Sequence, residues 1–159
     1  MKEYKIDYVF LYVDSSDKYW FNEYNKYYTG EYKNDKLNGL LRQDSFGLLK
    51  YKLRSIEQNM PWINNIYMVV MQESQIPDWL DTTKVNIIYH KDIIPNEFLP
   101  VFNTFAISLF IHNIPGLSEQ FIFGCDDYYI TTPITPGMFF KNNTQLKKLC
   151  KKRNFQQHI

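Results

Sequence analysis

The sequence predicts an α/β domain built on a mainly parallel sheet with flanking helices. Three observations carry that expectation. Short β-prone apolar runs alternate with stretches of helical spacing. The runs are nearly continuous in apolar residues, as strands buried on both faces are. Three of them finish in polar, chemically capable residues: Asp14/Asp17, His90/Asp92 and Asp126/Asp127. In open α/β sheets ligands bind beyond the carboxyl ends of the strands, so parallel strands would bring these groups to one edge.

Ile6 to Val13 (IDYVFLYV) reads as the first strand and ends in the acidic turn Asp14-Ser15-Ser16-Asp17. Residues 18–41, rich in Tyr, Asn and Lys, read as a helix followed by a mobile loop. Apolar residues at 46, 49, 53, 56 and 60 follow helical spacing, and Pro61 ends that helix. Ile66 to Met71 is the second strand. Ile76-Pro77-Asp78-Trp79-Leu80 is a turn into a short helix. Val85 to Tyr89 is the third strand, and 103–113 is a further helix stopped by Pro115-Gly116. Phe121 to Phe123 is the fourth strand and runs into Gly124-Cys125-Asp126-Asp127. The crossovers are expected to be right-handed. Tyr51, Trp62, Tyr67, Trp79, Phe98, Phe102 and Phe105 are expected to be core.

The 159 residues suit one domain with a real core. Hydrophobic residues at 45% and charged residues at 22% exclude a disordered or low-complexity chain. A net charge of +1 argues against nucleic acid as a partner. The charge is uneven. Six basic residues and no acid follow Phe140, so residues 1–140 hold 12 basic groups against 17 acidic ones. Residues 1–140 form the predicted core, and 141–159 a basic tail. The tail reads either as a solvated end or as a peripheral contact with an anionic membrane or polyanionic acceptor. Cys125 and Cys150 form neither a metal cluster nor a disulfide framework. No signal peptide and no apolar run near the roughly 18 residues of a membrane span is present. A cytoplasmic protein is expected, with the inner membrane face as its peripheral site.

Several residues could carry chemistry. Asp126 and Asp127 repel each other unless a cation or hydrogen-bond network intervenes. Mg²⁺ or Mn²⁺ would suit such hard oxygen ligands and often shares its shell with phosphates. The same pair also fits an exposed turn. Asp14 and Asp17 could hold a nucleotide or cap the next helix. His90 and His112 titrate near neutrality and could serve as acid, base or phosphate contact, or as structural histidines. Arg54 could grip a phosphate with both guanidinium arms. Lys50 shares its helix face, and Arg42 lies just upstream. The six scattered glycines form no phosphate-binding loop.

Taken together, these segments resemble the Stealth proteins. Ile6-Asp7-Tyr8-Val9 through Val13-Asp14-Ser15-Ser16-Asp17, with Trp20 beyond, is similar to the family's first block, about residues 6–17. The second block spans about 42–140. It includes Leu49-Lys50-Tyr51-Lys52-Leu53-Arg54-Ser55-Ile56-Glu57, Pro61-Trp62-Ile63-Asn64-Asn65, and Gln75-Ile76-Pro77-Asp78-Trp79-Leu80. His90-Lys91-Asp92-Ile93, Leu99-Pro100-Val101-Phe102-Asn103, Ile114-Pro115-Gly116-Leu117 and Asp126-Asp127 complete it. Ser15 stands where the family has glycine, Cys125 where it has asparagine, and Leu48 where it has a polar residue. Two further family blocks, with a histidine and an arginine, have no counterpart before residue 159.

The resemblance implies a nucleotide-sugar transferase-like, Rossmann-like fold. It also implies transfer of a hexose-1-phosphate from a nucleotide diphosphate sugar to a glycan hydroxyl, as in capsular or exopolysaccharide synthesis. Asp126 and Asp127 would hold the metal-diphosphate, and Asp14 and Asp17 would sit in the donor pocket. Arg42 and Arg54 would contact phosphate. His90, Asn103 and His112 would line the sugar or acceptor side, one histidine serving as base. The alternatives are a metal-dependent glycosyltransferase releasing nucleoside diphosphate, and an inactive donor-binding fragment.

Overall fold

The computed structural model describes residues 5–27, 47–141 and 144–146. Its centre is a four-stranded sheet: β1 (Ile6–Leu11), β2 (Ile66–Val70), β3 (Asn86–Tyr89) and β4 (Gln120–Gly124). The order is β3-β2-β1-β4, and every pairing is parallel. Parallel neighbours cannot be joined by a tight turn, so each connection crosses a face of the sheet. The predicted fold class, a Rossmann-like parallel α/β architecture, is what forms.

Alternation along the two central strands sorts the side chains into two cores. On one face Tyr8, Phe10, Tyr12, Met68 and Val70 pack with Leu49, Ile56 and Met60, which belong to or flank α2 (Leu49–Asn59). On the other, Val9, Tyr67 and Val69 pack with Ile93, Ile94, Ile107, Ile111 and Ile114 of the β3–β4 crossover. That crossover contains α3 (His90–Ile93) and α4 (Thr104–Ser108). α1 (Lys18–Tyr27) buries Trp20, whose ring stacks on Tyr24 at 5.0 Å and meets Phe102 edge-on at 5.9 Å.

The acid in β1 has a structural task. Asp7 is fully buried at the amino end of the strand. Its carboxylate accepts from Asn64 Nδ2 at 2.8 Å, the Asn65 amide at 3.0 Å and the Ser118 amide at 2.7 Å. It ties the two crossovers entering β2 and β4 to the strand between them.

Four local expectations change. The short helix after Pro77 does not form. Leu80 N–H reaches the Pro77 carbonyl in a single turn, and Asp81 Oδ1 then takes the Thr83 amide and bends the chain. The helix expected over 103–113 stops at Ser108. The buried spacing Ile107, Ile111, Ile114 continues, but bonding shortens to i→i−3, as in Phe110 N–H to Ile107 O. Tyr51, Trp79, Phe98 and Phe105 are not core: they are 59%, 45%, 56% and 84% exposed. Finally, Phe140–Lys141 (β5) pairs antiparallel with Thr144–Gln145 (β6), so ordered pairing crosses the start of the predicted tail. Residues 28–41 of the expected loop, with Arg42 and Phe46, and 147–159 of the tail lie outside the described residues.

Among the described residues no helix is long and apolar enough to cross a membrane.

Candidate functional site

All four strands run the same way, so the segments after Leu11, Val70, Tyr89 and Gly124 share one edge. The strand order then decides which groups are neighbours. β1 pairs with β4, with Phe10 opposite Gly124, so Asp14 and the Asp126–Asp127 pair follow adjacent strand ends. β3 lies at the far side. His90 is therefore three strand spacings from the acid pair, about 14 Å. A ligand touching both would have to be extended.

The β1 turn is built from its own acids. Asp14 Oδ1 accepts the Ser16 amide at 2.9 Å and the Ser16 hydroxyl at 2.6 Å. Asp17 Oδ1 accepts the Tyr19 amide at 2.9 Å, capping α1. Its Oδ2 accepts from Gln72 Nε2 at 3.2 Å and Ser74 Oγ at 2.6 Å. Gln75, buried in the same loop, sends its amide nitrogen to the Asp14 carbonyl at 3.4 Å. These contacts join the β1 and β2 ends into one rim.

Asp126 and Asp127 lie in an exposed turn closed by the Tyr128 amide on the Cys125 carbonyl at 3.4 Å. The Asp126 carboxyl is held above the usual carboxylate range, first by desolvation and then by the charge of Asp127. Loop amides and Lys52 act in the opposite sense.

Lys52 is the residue that sequence reasoning passed over. It is fully buried, on the sheet-facing side of α2. Its Nζ donates to the Cys125 carbonyl at 2.5 Å, the Tyr128 carbonyl at 3.2 Å and the Tyr8 hydroxyl at 3.2 Å. The ammonium also lies 5.1 Å from the ring centroids of both Tyr8 and Phe10. Burial pulls its pKa down to about 8, against the opposing pull of Asp126, Cys125 and Asp127. Gly124 makes room for this arrangement: a Cβ there would stand 1.9 Å from the Tyr8 hydroxyl. Burial in turn raises the Tyr8 phenol to about 12, with Cys125 adding to it. The signal was available. Position 52 falls within the apolar stripe of Leu49, Ile56 and Met60, where a lysine must be buried or the stripe broken.

His90 opens α3 and is buried. Desolvation lowers its pKa to about 4, and among the described residues its Nδ1 has no hydrogen-bond partner. Asp92 Oδ2 takes the Tyr89 amide at 3.0 Å, fixing that turn. Asn103 caps α4, its Oδ1 accepting the Phe105 and Ala106 amides at 2.9 and 3.2 Å. His112 is exposed on the turn after α4. Arg54 is exposed on α2 and lines an open cavity of about 660 Å³ with Lys50, Trp79 and Lys84. That cavity is bounded by Met60, Ile66 and Val85, so it opens toward the amino ends of β2 and β3.

Among the described residues no three His, Cys, Asp or Glu side chains gather as metal ligands. A cation held by Asp126 and Asp127 would complete its shell with phosphate and water oxygens, which Mg²⁺ commonly does.

A parallel sheet with carboxylates beyond two adjacent strand ends defines an α/β domain of the class that binds ligands at its carboxyl edge. Residues 42–148 match the family model for Stealth protein CR2, conserved region 2. The chain belongs to the Stealth family. It is 38% identical over 142 residues to exopolysaccharide phosphotransferase cps2G of Lactiplantibacillus plantarum, covering 88% of this chain and 40% of that one. It is 39% identical to capsular polysaccharide phosphotransferase WcwK of Streptococcus pneumoniae, covering 96% and 49%. With capsular polysaccharide phosphotransferase LcbA of Neisseria meningitidis the identity is 36%, covering 90% and 40%. The chain thus spans about half the length of these curated relatives or somewhat less.

Proposed function

We propose that this chain takes part in sugar-1-phosphate transfer during capsular or exopolysaccharide synthesis. The observation that carries the reading is the Asp126–Asp127 pair beyond β4, one strand from Asp14, in a chain resembling named polysaccharide phosphotransferases. The donor is a nucleotide diphosphate sugar and the acceptor a glycan hydroxyl. The acceptor oxygen attacks the sugar-proximal phosphorus. The bond from that phosphorus to the bridging oxygen breaks, and nucleoside monophosphate leaves with the bridging oxygen. The acceptor proton passes to a base, and a phosphodiester results.

Negative charge on the phosphate oxygens must be met by fixed positive charge or hydrogen-bond donors. Asp126 and Asp127 would hold Mg²⁺ or Mn²⁺, which supplies that charge. The rim joining Asp14, Asp17 and Gln72–Gln75 offers polar groups for the donor's far end. The geometry does not favour His90 as base, because its imidazole is buried at the far strand end, three strand spacings from the acid pair. His112 is the exposed histidine of the two. The basic tail would meet an anionic surface or acceptor.

The test is the nucleotide released from UDP- and GDP-sugars with Mg²⁺ and an oligosaccharide acceptor. Acceptor-dependent nucleoside monophosphate, lost in Asp126→Asn and Asp127→Asn, is the expected result. Nucleoside diphosphate would put glycosyl transfer in its place. Donor binding without release would leave this chain with binding alone.

A further inference from the structure

The polar groups of α2 that face the sheet bond mainly to main chain, the Tyr8 hydroxyl at Lys52 being the side-chain exception. Beyond the helix, that main chain belongs to one segment. Lys52 Nζ donates to the carbonyls of Cys125 and Tyr128. Ser55 Oγ accepts the Ile130 amide at 3.3 Å. Asn59 Nδ2 donates to the Ile130 carbonyl at 2.6 Å, and the Asn59 carbonyl accepts the Ile134 amide at 2.9 Å. Just past the helix, Trp62 Nε1 donates to the Ile134 carbonyl at 2.6 Å. Positions 52, 55 and 59 share one helix face. The chain leaving β4 is thus strung along α2 from residue 125 to 134.

Among the described residues of this series, Lys52 alone brackets the acid pair, with two bonds. The Cys125 carbonyl precedes Asp126 and the Tyr128 carbonyl follows Asp127. We infer that Lys52 is a positioning residue: it clamps both ends of the Asp126–Asp127 turn and so fixes where the two carboxylates stand. A buried ammonium bound to carbonyls and flanked by aromatic faces is held tightly, because every alternative leaves a desolvated charge unpaired. The clamp also puts a fixed positive charge under two adjacent acids, easing their mutual repulsion. Ser55, Asn59 and Trp62 hold the later part of the segment and leave the acid pair untouched.

The inference rests on the acid pair being the functional group of this edge. Its test therefore uses two readouts. Amide hydrogen exchange on the full chain without metal is the first. Lys52→Met should speed exchange at Asp126, Asp127 and Tyr128 by about tenfold or more while β2 and β3 amides stay unchanged. Asn59→Ala should speed exchange at Ile130 and Ile134 and leave 126–128 unchanged. Mn²⁺ alone, titrated by electron paramagnetic resonance, is the second. Lys52→Met should weaken binding severalfold, Asn59→Ala should not, and Lys52→Arg should restore it. Should Lys52→Met fail to fold, Lys52→Gln, which loses the charge and keeps a donor, takes its place in both readouts with the same expected and overturning outcomes. Unchanged exchange at 126–128 in folded Lys52→Met would overturn the inference. So would equal Mn²⁺ loss in Lys52→Met and Asn59→Ala. If Asp126→Asn and Asp127→Asn leave Mn²⁺ binding intact, the metal reading fails alone, and the exchange readout still decides the clamp.

Discussion

Lys52 and His90 are both bases taken out of water near the same edge of the sheet, yet one stays charged and the other does not. Desolvation pulls Lys52 from 10.5 to about 8 and His90 from 6.5 to about 4. Near neutral pH the lysine is therefore still mostly charged, and the histidine is neutral. The difference lies in what surrounds each nitrogen. Lys52 has two carbonyls, a phenol and two ring faces, with two carboxylates beyond. Among the described residues His90 Nδ1 has no partner, and desolvation is the one cause of its shift. Burial alone does not set the role of a base. The β4 end has become an electrostatic site, and the β3 end a packed corner.

The sharpest way to break the comparison is to spoil the lysine's cradle. Gly124→Ala would drive a methyl into the Tyr8 hydroxyl at 1.9 Å and ring carbon Cζ at 2.6 Å. Urea unfolding should show a loss of about 3 kcal/mol or more. Tyr8→Phe should recover only part of it, since the ring carbon remains.

The next test acts on the histidine. Its folded pKa lies below its unfolded one, so the unfolded chain gains the proton first as pH falls. Stability present above pH 6.5 is lost progressively toward pH 4, by about 3 kcal/mol in all. His90→Gln should lack that component. The difference between the two unfolding curves should appear between pH 6.5 and 4 and be flat above pH 7. A parallel pH dependence in both proteins would show that His90 is not buried as a neutral base.

The smallest effect sharpens the β3 side. Asn103→Ala should cost about 1 kcal/mol through loss of the α4 cap, whereas Asn103→Asp should keep it. If Asn103→Asp keeps stability but loses nucleotide release, Asn103 contacts substrate as well as capping the helix.

Much of the fold was legible in the sequence, because each strand is a short apolar run ended by a turn signal. Sharing of the carboxyl edge was legible too, since alternating strands and helices imply parallel strands. Strand order was not. Nothing in the runs themselves says that β1 sits between β2 and β4, and it is this order that separates His90 from Asp126. Lys52 was hidden by the usual expectation that lysine is solvated. Asp17 was legible as a helix cap by residue type, but type alone cannot distinguish a cap from a ligand contact, and the cap made by Asn103 was not read.

The central place of β1 has a consequence for synthesis. Asp7 waits for Ser118, 111 residues later, and β1 cannot meet β4 until that stretch has left the ribosome. At ordinary elongation rates the interval is on the order of 10 s. During that time β1 can pair with β2, but its other side is an open edge of Ile6, Asp7, Tyr8, Val9 and Phe10. An open apolar edge is a template for pairing with the wrong chain. The nascent protein is most exposed to aggregation in that window, and a chaperone that holds a half-built sheet would raise its yield most.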